Sequence, residues 1–436
     1  MDKIIRTILA EWSRKGLPEV IPREISLQDY LNLKINKIIV LNGFRRVGKT
    51  YIFYSVINEL LKSNSREEVV HINFEDERIP LKTEFLSSLM PTADELFVKK
   101  MKYLFLDELH NIPNWSKWLR RIHDNQNIKI FVSGSSSRMS EEEIPTELRG
   151  RFLEVKIFPL SFNEFLKFKS LSFDFKLLDH SEKERPQMLK ALAEYLTYGG
   201  LPEIVLINET KKFELAQSYY ATVIKRDIVE RYKIKNEESL KSLLKLLLDS
   251  KEYSINKSYH TLKSLGYEVG KSTVQKYISY IENSYFIFSL PIFSYKIKDQ
   301  MQYPKKVYCI DNAFINSIST KFSHNFGRLY ENLVAIELKR RKKECYYWKN
   351  MEKEEVDFII KNNAKIEELV QVCYDISDQD TKKRELRALL KASKDLKCKN
   401  LWIINKDYVG EENVEWFGIK RKVKFIPLWK WLLISN

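Results

Sequence analysis

Residues 37–50 read KIIVLNGFRRVGKT, and this stretch decides the fold. An apolar run at 38–41 leads into Gly43-x-x-x-x-Gly48-Lys49-Thr50. That is the pattern of a phosphate-binding loop set between a buried parallel strand and a helix. The chemistry accounts for the spacing. Gly43 and Gly48 let the backbone curl, so that the N–H groups of Phe44, Arg45, Arg46 and Val47 converge on one anion. Lys49 reaches the β- and γ-phosphates of a nucleotide, and Thr50 offers its hydroxyl to Mg²⁺. A helix over 51–62, opening at Tyr51, adds its N-terminal dipole. A surface glycine turn with a stray lysine would leave the apolar strand before it unexplained.

A second half of the same site follows at 102–115, KYLFLDELHNIPNW. An apolar strand at 103–106 ends in Asp107-Glu108. A nucleotide-bound Mg²⁺ needs an anionic partner, which Asp107 supplies. Hydrolysis needs a group that polarises the attacking water, and Glu108 is placed for it. A further strand at 128–132 ends in Ser133-Gly134-Ser135-Ser136. Ser135 and its neighbours either contact the γ-phosphate or the water, or form a plain Ser/Gly turn.

Five short apolar runs, at 38–41, 69–73, 103–106, 128–132 and 153–157, alternate with helical patterns. The alternation predicts an α/β domain with a parallel sheet. Polar residues after the second strand, Asn73 to Asp76, fall where open α/β sheets bind ligands. Arg149 and Arg151 precede the fifth strand. Each is either an arginine finger for a neighbouring γ-phosphate, which requires self-association, or a solvated surface base.

Apolar residues at three- and four-residue spacing predict helices at 162–168, 186–198 and 213–232, with a break at Gly199-Gly200-Leu201-Pro202. Residues 236–293 follow the pattern of a winged helix. Helices are expected at 240–248, 255–265 and from 271 onward, with Ser272 or Thr273 as a cap. Strands follow at 285–290 and, in the basic SYKIKDQ, at 294–300. Lys257, Lys271, Ser272, Thr273, Gln275 and Lys276 are the candidates for duplex DNA. The alternative is a module that only packs within a larger ATPase. From about 305 another α/β unit follows, with strands at 306–310, 346–349, 356–360, 369–373, 401–405 and 422–426. Its helices are expected at 327–339 and 381–394.

The net charge of +15 over 436 residues favours a polyanionic partner, nucleic acid or an acidic membrane surface. The four cysteines are too scattered for a zinc knuckle. No run is long and apolar enough to span a bilayer, and the first sixteen residues lack a signal-peptide cleavage region. A reducing, cytoplasmic setting is expected.

GFRRVGKT, NFED, LDELHNIPNW and VSGSSSRM resemble a family of archaeal and bacterial AAA-type ATPases. The likeness continues through FPLSFNEFL, YGGLPEIV, RDIVERYKI and GRLYENLVAIEL to EVDFII. It implies an AAA-type P-loop core at 1–160, a helical lid at 161–235, a winged helix at 236–300 and a restriction-endonuclease-like domain at 301–436. It also implies ATP binding and hydrolysis through Lys49, Thr50, Asp107 and Glu108. The last domain resembles a PD-(D/E)xK nuclease core, with Asp357 and Glu331 at two acidic positions. Its Glu-x-Lys slot reads Gln371-Val372-Cys373. An amide there cannot supply the charge that a hard dication prefers, and a thiol cannot replace an ammonium. The expectation is an ATP-hydrolysing protein that binds DNA and has lost nuclease chemistry. The alternatives are an ATP-gated Mg²⁺-dependent nuclease and a nucleotide-switched regulator that touches no DNA.

Overall fold

The computed structural model describes residues 2–135, 145–174, 178, 181–318 and 326–434. The chain divides into two units, Met1–Phe158 and Pro159–Asn436.

The first unit is built on five parallel strands. They are β1 Ile38–Gly43, β2 Val69–Asn73, β3 Tyr103–Asp107, β4 Lys129–Gly134 and β5 Phe152–Ile157. Their order is β2-β3-β4-β1-β5. β1 is buried along its whole length, as a strand covered by helices on both faces must be. One covering layer is made by the helices Asp2–Arg14, Thr83–Leu96 and Trp115–Asn125, whose Leu9, Leu89 and Leu119 share a core with Val40 and Leu104. The helix Lys49–Leu60 follows the loop after β1.

All five strand ends named by the alternation agree to within about two residues. The two glycines of the loop divide their work differently from expectation. Gly48 takes φ 91°, where a side chain would be strained. Gly43 has another reason: a Cβ there would meet the Ile157 carbonyl oxygen at 2.2 Å. It is needed because β5 packs close, not because the loop turns at it.

The second unit begins with helices Phe162–Phe168, Glu184–Tyr198 and Lys212–Thr222, the last continuing as a π-helical segment Val223–Glu230. Ser161 and Glu164 form a reciprocal capping box on the first of these. Helices Glu237–Asp249, Ile255–Ser264 and Lys271–Asn283 follow. They accompany a three-stranded antiparallel sheet of β6 Glu252–Tyr253, β7 Ile287–Leu290 and β8 Lys305–Cys309, in the order β6-β8-β7.

Three expectations need correction here. The cap of Lys271–Asn283 is Gly270, with no side-chain bond, rather than Ser272 or Thr273. SYKIKDQ is not a strand; it runs into a short helix, Ile297–Gln302. β8 hydrogen-bonds to β6 and β7, so a boundary at 300 would cut through one sheet.

The last six strands form one sheet in the order β13-β14-β12-β11-β10-β9. They are β9 Glu344–Lys349, β10 Glu355–Asn362, β11 Lys365–Val372, β12 Leu401–Asn405, β13 Gly410–Trp416 and β14 Ile419–Pro427. Helix Phe326–Arg340 precedes β9, and helix Gln379–Asp395 joins β11 to the parallel β12. β13 had no counterpart in the sequence pattern. Among the described residues no helix is long and apolar enough to cross a membrane.

Candidate nucleotide site

The carboxyl ends of β1, β3 and β4 meet at one edge of the first sheet, because parallel pairing brings all three ends to the same side. Lys49, at the start of its helix, is buried. Its ammonium donates to the Gly43 and Phe44 carbonyls at 3.1 and 3.2 Å and stands 3.6 Å from the Glu108 carboxylate. The Thr50 hydroxyl donates to one Asp107 oxygen, and the Ser133 hydroxyl donates to the other. Burial alone would push the Asp107 carboxyl up, but His71 and these two hydroxyls hold it below its ordinary value. His71 Nε2, on the neighbouring β2, lies 3.9 Å from that carboxylate.

Glu108 sits at φ 55°, a left-handed position that few non-glycine residues occupy. Strain of this kind collects at sites where side-chain direction matters. The Glu108 N–H donates to Ser133 Oγ at 3.1 Å, and its carboxylate accepts the Ser135 N–H at 3.2 Å. His110 Nδ1 lies 3.4 Å from the same carboxylate. The Ser135 hydroxyl is buried and has no hydrogen-bond partner among the described residues. A buried hydroxyl without a partner is costly, and beside Glu108 it is suited to an incoming polar group. Ser136 lies outside the described residues.

The other loop residues divide by environment. Phe44 and Val47 are buried, while Arg46 is exposed at φ 68°. Arg45 reaches Glu75, after β2, at 3.0 Å. Tyr51 lines a cavity of about 360 Å³ with Val20, Arg23, Ile25, Ile52 and Ser55. Arg23 ties that N-terminal segment to the loop by donating to the Val47 carbonyl at 2.8 Å. The cavity lies in the size range of small-molecule sites.

Arg149 and Arg151 are not brought to this edge. β5 runs parallel to β1 from Phe152 beside Ile38 to Ile157 beside Gly43. Both arginines precede β5 and so lie at the opposite edge, roughly 17 Å away at about 3.3 Å per residue. Arg151 is committed to Asp124, with Nε at 2.9 Å, and Arg149 is exposed.

The donors fit a magnesium nucleotide. Thr50 and Asp107 offer a hydroxyl and a carboxylate at one point, an oxygen pair of the kind that Mg²⁺ takes beside phosphate. His71 and His110 are the neighbours of this site that the sequence pattern missed. The signal for His71 was a polar residue inside the apolar strand VVHIN.

In the second unit, Lys257, Lys271, Ser272, Gln275 and Lys276 are exposed, and Thr273 is half-buried. Val274, Tyr277, Ile278 and Ile281 face the core. Lys271 Nζ lies 5.6 Å from the Tyr259 ring centroid, so helix Ile255–Ser264 and helix Lys271–Asn283 meet at this basic face.

The acidic positions of the C-terminal unit have an unexpected partner. Lys306, on β8, is 1% exposed. Its Nζ lies 2.9 Å from Glu331, 2.6 Å from Glu355 and 2.7 Å from Asp357. Gln371 accepts the Asp357 N–H at 3.2 Å and donates to Glu385 at 2.5 Å. Burial pushes the Cys373 thiol up to about 12.

A family model described as an AAA domain matches residues 35–166. Two models described as domains of unknown function match 189–325 and 326–431. An uncharacterized protein of Methanocaldococcus jannaschii is 39% identical over 424 residues, 95% of this chain and 91% of its own length. An uncharacterized protein of Haemophilus influenzae is 28% identical over 82% of this chain and 88% of its own. The solved Walker-type ATPase of Pyrococcus abyssi is similar over 69% of this chain and 98% of its own, with 13% identity and a TM-score of 0.46.

Proposed function

Because the chain belongs to the AAA-type P-loop ATPase family, we propose that it binds ATP with Mg²⁺ and hydrolyses it to ADP and phosphate. The observation that carries this reading is the convergence of Lys49, Thr50, Asp107 and Glu108 at adjoining strand ends. Thr50 and Asp107 would hold the ion. Mg²⁺ supplies neutralisation of the charge on the β- and γ-phosphate oxygens. The loop N–H groups and Lys49 bind the phosphates, and a triphosphate offers Lys49 stronger acceptors than two neutral carbonyls. Glu108 orients the attacking water and takes its proton. Ser135 donates to the γ-phosphate or that water. The cavity beside Tyr51 receives the nucleoside.

The same reading takes the three helices and the β6-β8-β7 sheet as a winged helix, with Lys257, Lys271, Ser272, Thr273, Gln275 and Lys276 on duplex DNA. Its support is the exposed basic face and the net charge of +15. Arg149 is free of the constraint that holds Arg151. It serves as a finger only for the nucleotide of a second copy, which makes self-association part of this reading.

Phosphate release by the full chain with Mg²⁺-ATP, compared with Glu108→Gln, tests the enzyme assignment. Glu108→Gln should retain nucleotide and turn over about a hundredfold more slowly or worse. Equal turnover in the two proteins removes the assignment.

A further inference from the structure

Lys306 reaches its three carboxylates from a different sheet. Glu331 stands on helix Phe326–Arg340, and Glu355 and Asp357 on β10, whereas Lys306 belongs to the three-stranded sheet. Tyr308, two residues further on and so on the same face of β8, donates its hydroxyl to the same Glu331 oxygen at 2.8 Å. The second Asp357 oxygen accepts the Val372 N–H at 2.9 Å. Lys349 approaches the second Glu355 oxygen at 3.3 Å. Lys306 and both oxygens of Glu355 and of Asp357 therefore have partners, as buried ions require.

The distances identify the cation that this arrangement is made for. Oxygens that hold Mg²⁺ or Ca²⁺ lie about 2.0–2.6 Å from the ion. Here they stand 2.6–2.9 Å from one nitrogen, which is charge-assisted hydrogen-bond spacing. As the side chains stand, no group of three or more acid, histidine or cysteine residues among the described residues is set to hold a metal. The point on which the three carboxylates converge is filled by Nζ, and an ammonium and a dication cannot share it.

We propose that Lys306 is the resident cation of a cradle otherwise suited to a divalent metal, and that it fastens β8 to β10 through Glu331, Glu355 and Asp357. The inference goes beyond the ATPase reading and does not depend on it. Burial and the neighbouring Glu331 push Asp357 up to about 7 against the pull of Lys306.

Terbium luminescence on the full chain tests the proposal, without nucleotide and with Asp107→Asn in every protein to remove the P-loop metal site. Tyr308 and Tyr347, whose ring centroid is 5.9 Å from Nζ, would sensitise a Tb³⁺ ion in the cradle. The Asp107→Asn protein should give no signal that depends on Asp357. Lys306→Met should gain one Tb³⁺ per chain, bound about tenfold more tightly or better. Adding Asp357→Asn should abolish that gain. A Tb³⁺ site that is present with Lys306 in place and lost in Asp357→Asn overturns the proposal. So does a folded Lys306→Met protein, by circular dichroism, that gains no site. If Lys306→Met does not fold, melting of the Asp107→Asn protein with and without Mn²⁺ decides. An unchanged midpoint supports a cradle already filled, and a rise with Mn²⁺ overturns it.

Discussion

The Lys49 ammonium stands 3.6 Å from the Glu108 carboxylate, with both side chains buried. Each residue therefore has two duties. In the proposed reading Lys49 is the cation for the triphosphate and the counter-charge of the base. Removing it takes away the phosphate partner and leaves a buried carboxylate uncompensated.

Lys49→Ala should weaken ATP binding by about a hundredfold or more, the equivalent of roughly 3 kcal/mol for a lost buried charge partner. It should also lower the melting temperature without nucleotide, which a residue that touched only phosphate would not do. A titration with fluorescent ATP and a thermal melt measure the two effects. Unaltered affinity removes Lys49 from the site.

Asp107→Asn should separate the metal from the nucleotide. His71, Ser133 and Thr50 hold the Asp107 carboxyl below its ordinary value, and an amide keeps its shape but loses the charge and one of the two oxygens that accept from Thr50 and Ser133. In the native chain Mg²⁺ should strengthen ATP binding over binding in EDTA. In Asp107→Asn the EDTA value should stay within about twofold and the Mg²⁺ gain should vanish. Retention of the full gain assigns the metal elsewhere.

The candidate nucleotide site was legible because its residues are local in sequence. Fourteen consecutive residues carry a strand, a loop and a helix start, and each later strand brings its polar residues at its own end. Lys306 was not legible. Its partners are distant in sequence and sit on a helix and a strand of another sheet, so no spacing marks them. β13, GEENVEW, escaped for a different reason. Its pairing relies on charge across the strand, Glu415 with Lys420 and Glu411 with Lys422, rather than on apolar alternation. SYKIKDQ misled because Tyr295 and Ile297 alternate with lysines as a strand would. Both are 72% exposed or more, and no strand pairs with them.

A pH effect is expected from Asp311. Its carboxyl is fully buried and accepts the Gly200 and Ala313 N–H groups at 2.8 and 2.9 Å. Burial raises it to about 7, against the pull of those N–H groups and of Arg340. Its folded-state value thus lies above the ordinary 3.8. The protonated form then favours folding, and the contribution is full below about pH 4 and lost as pH rises toward 7. Asp311→Asn should flatten that part of the melting-temperature profile between pH 4 and pH 7. A profile of unchanged slope would show that Asp311 is not its source. Gly199→Ala tests the same packing without a charge. Gly199 has φ 72°, and a Cβ there would fall 1.5 Å from the Asp311 carboxylate oxygen, so a severe loss of stability is expected.

Duplex binding should be salt-steep and tolerant of sequence. The exposed residues on helix Lys271–Asn283 include two lysines that would neutralise phosphates. Changing Lys271 and Lys276 to Glu should weaken binding at moderate salt. It should also reduce the slope of log affinity against log salt by about two. Both side chains are exposed, so melting should move little. Equal affinity and slope in a gel shift would make this face a packing or protein-binding surface.

Cleavage of DNA is not expected from the C-terminal sheet, although helix Phe326–Arg340, strands β9 to β11 and Asp357 stand in the order of a nuclease core. Fold does not carry chemistry; the site does. Metal-assisted hydrolysis needs carboxylates around an ion that keeps an open position for the scissile phosphate. Here Glu331 and Asp357 are drawn onto Lys306, which is 1% exposed. Gln371 brings a neutral amide and spends it on Asp357 and Glu385. Cys373, where a lysine would stand, is a buried thiol pushed up to about 12 and so carries no charge near neutrality. Plasmid and linear duplex should remain intact with Mg²⁺ or Mn²⁺, with or without ATP. Nicking that disappears in Asp357→Ala would restore the nuclease reading and would require Lys306 to leave the cradle during turnover.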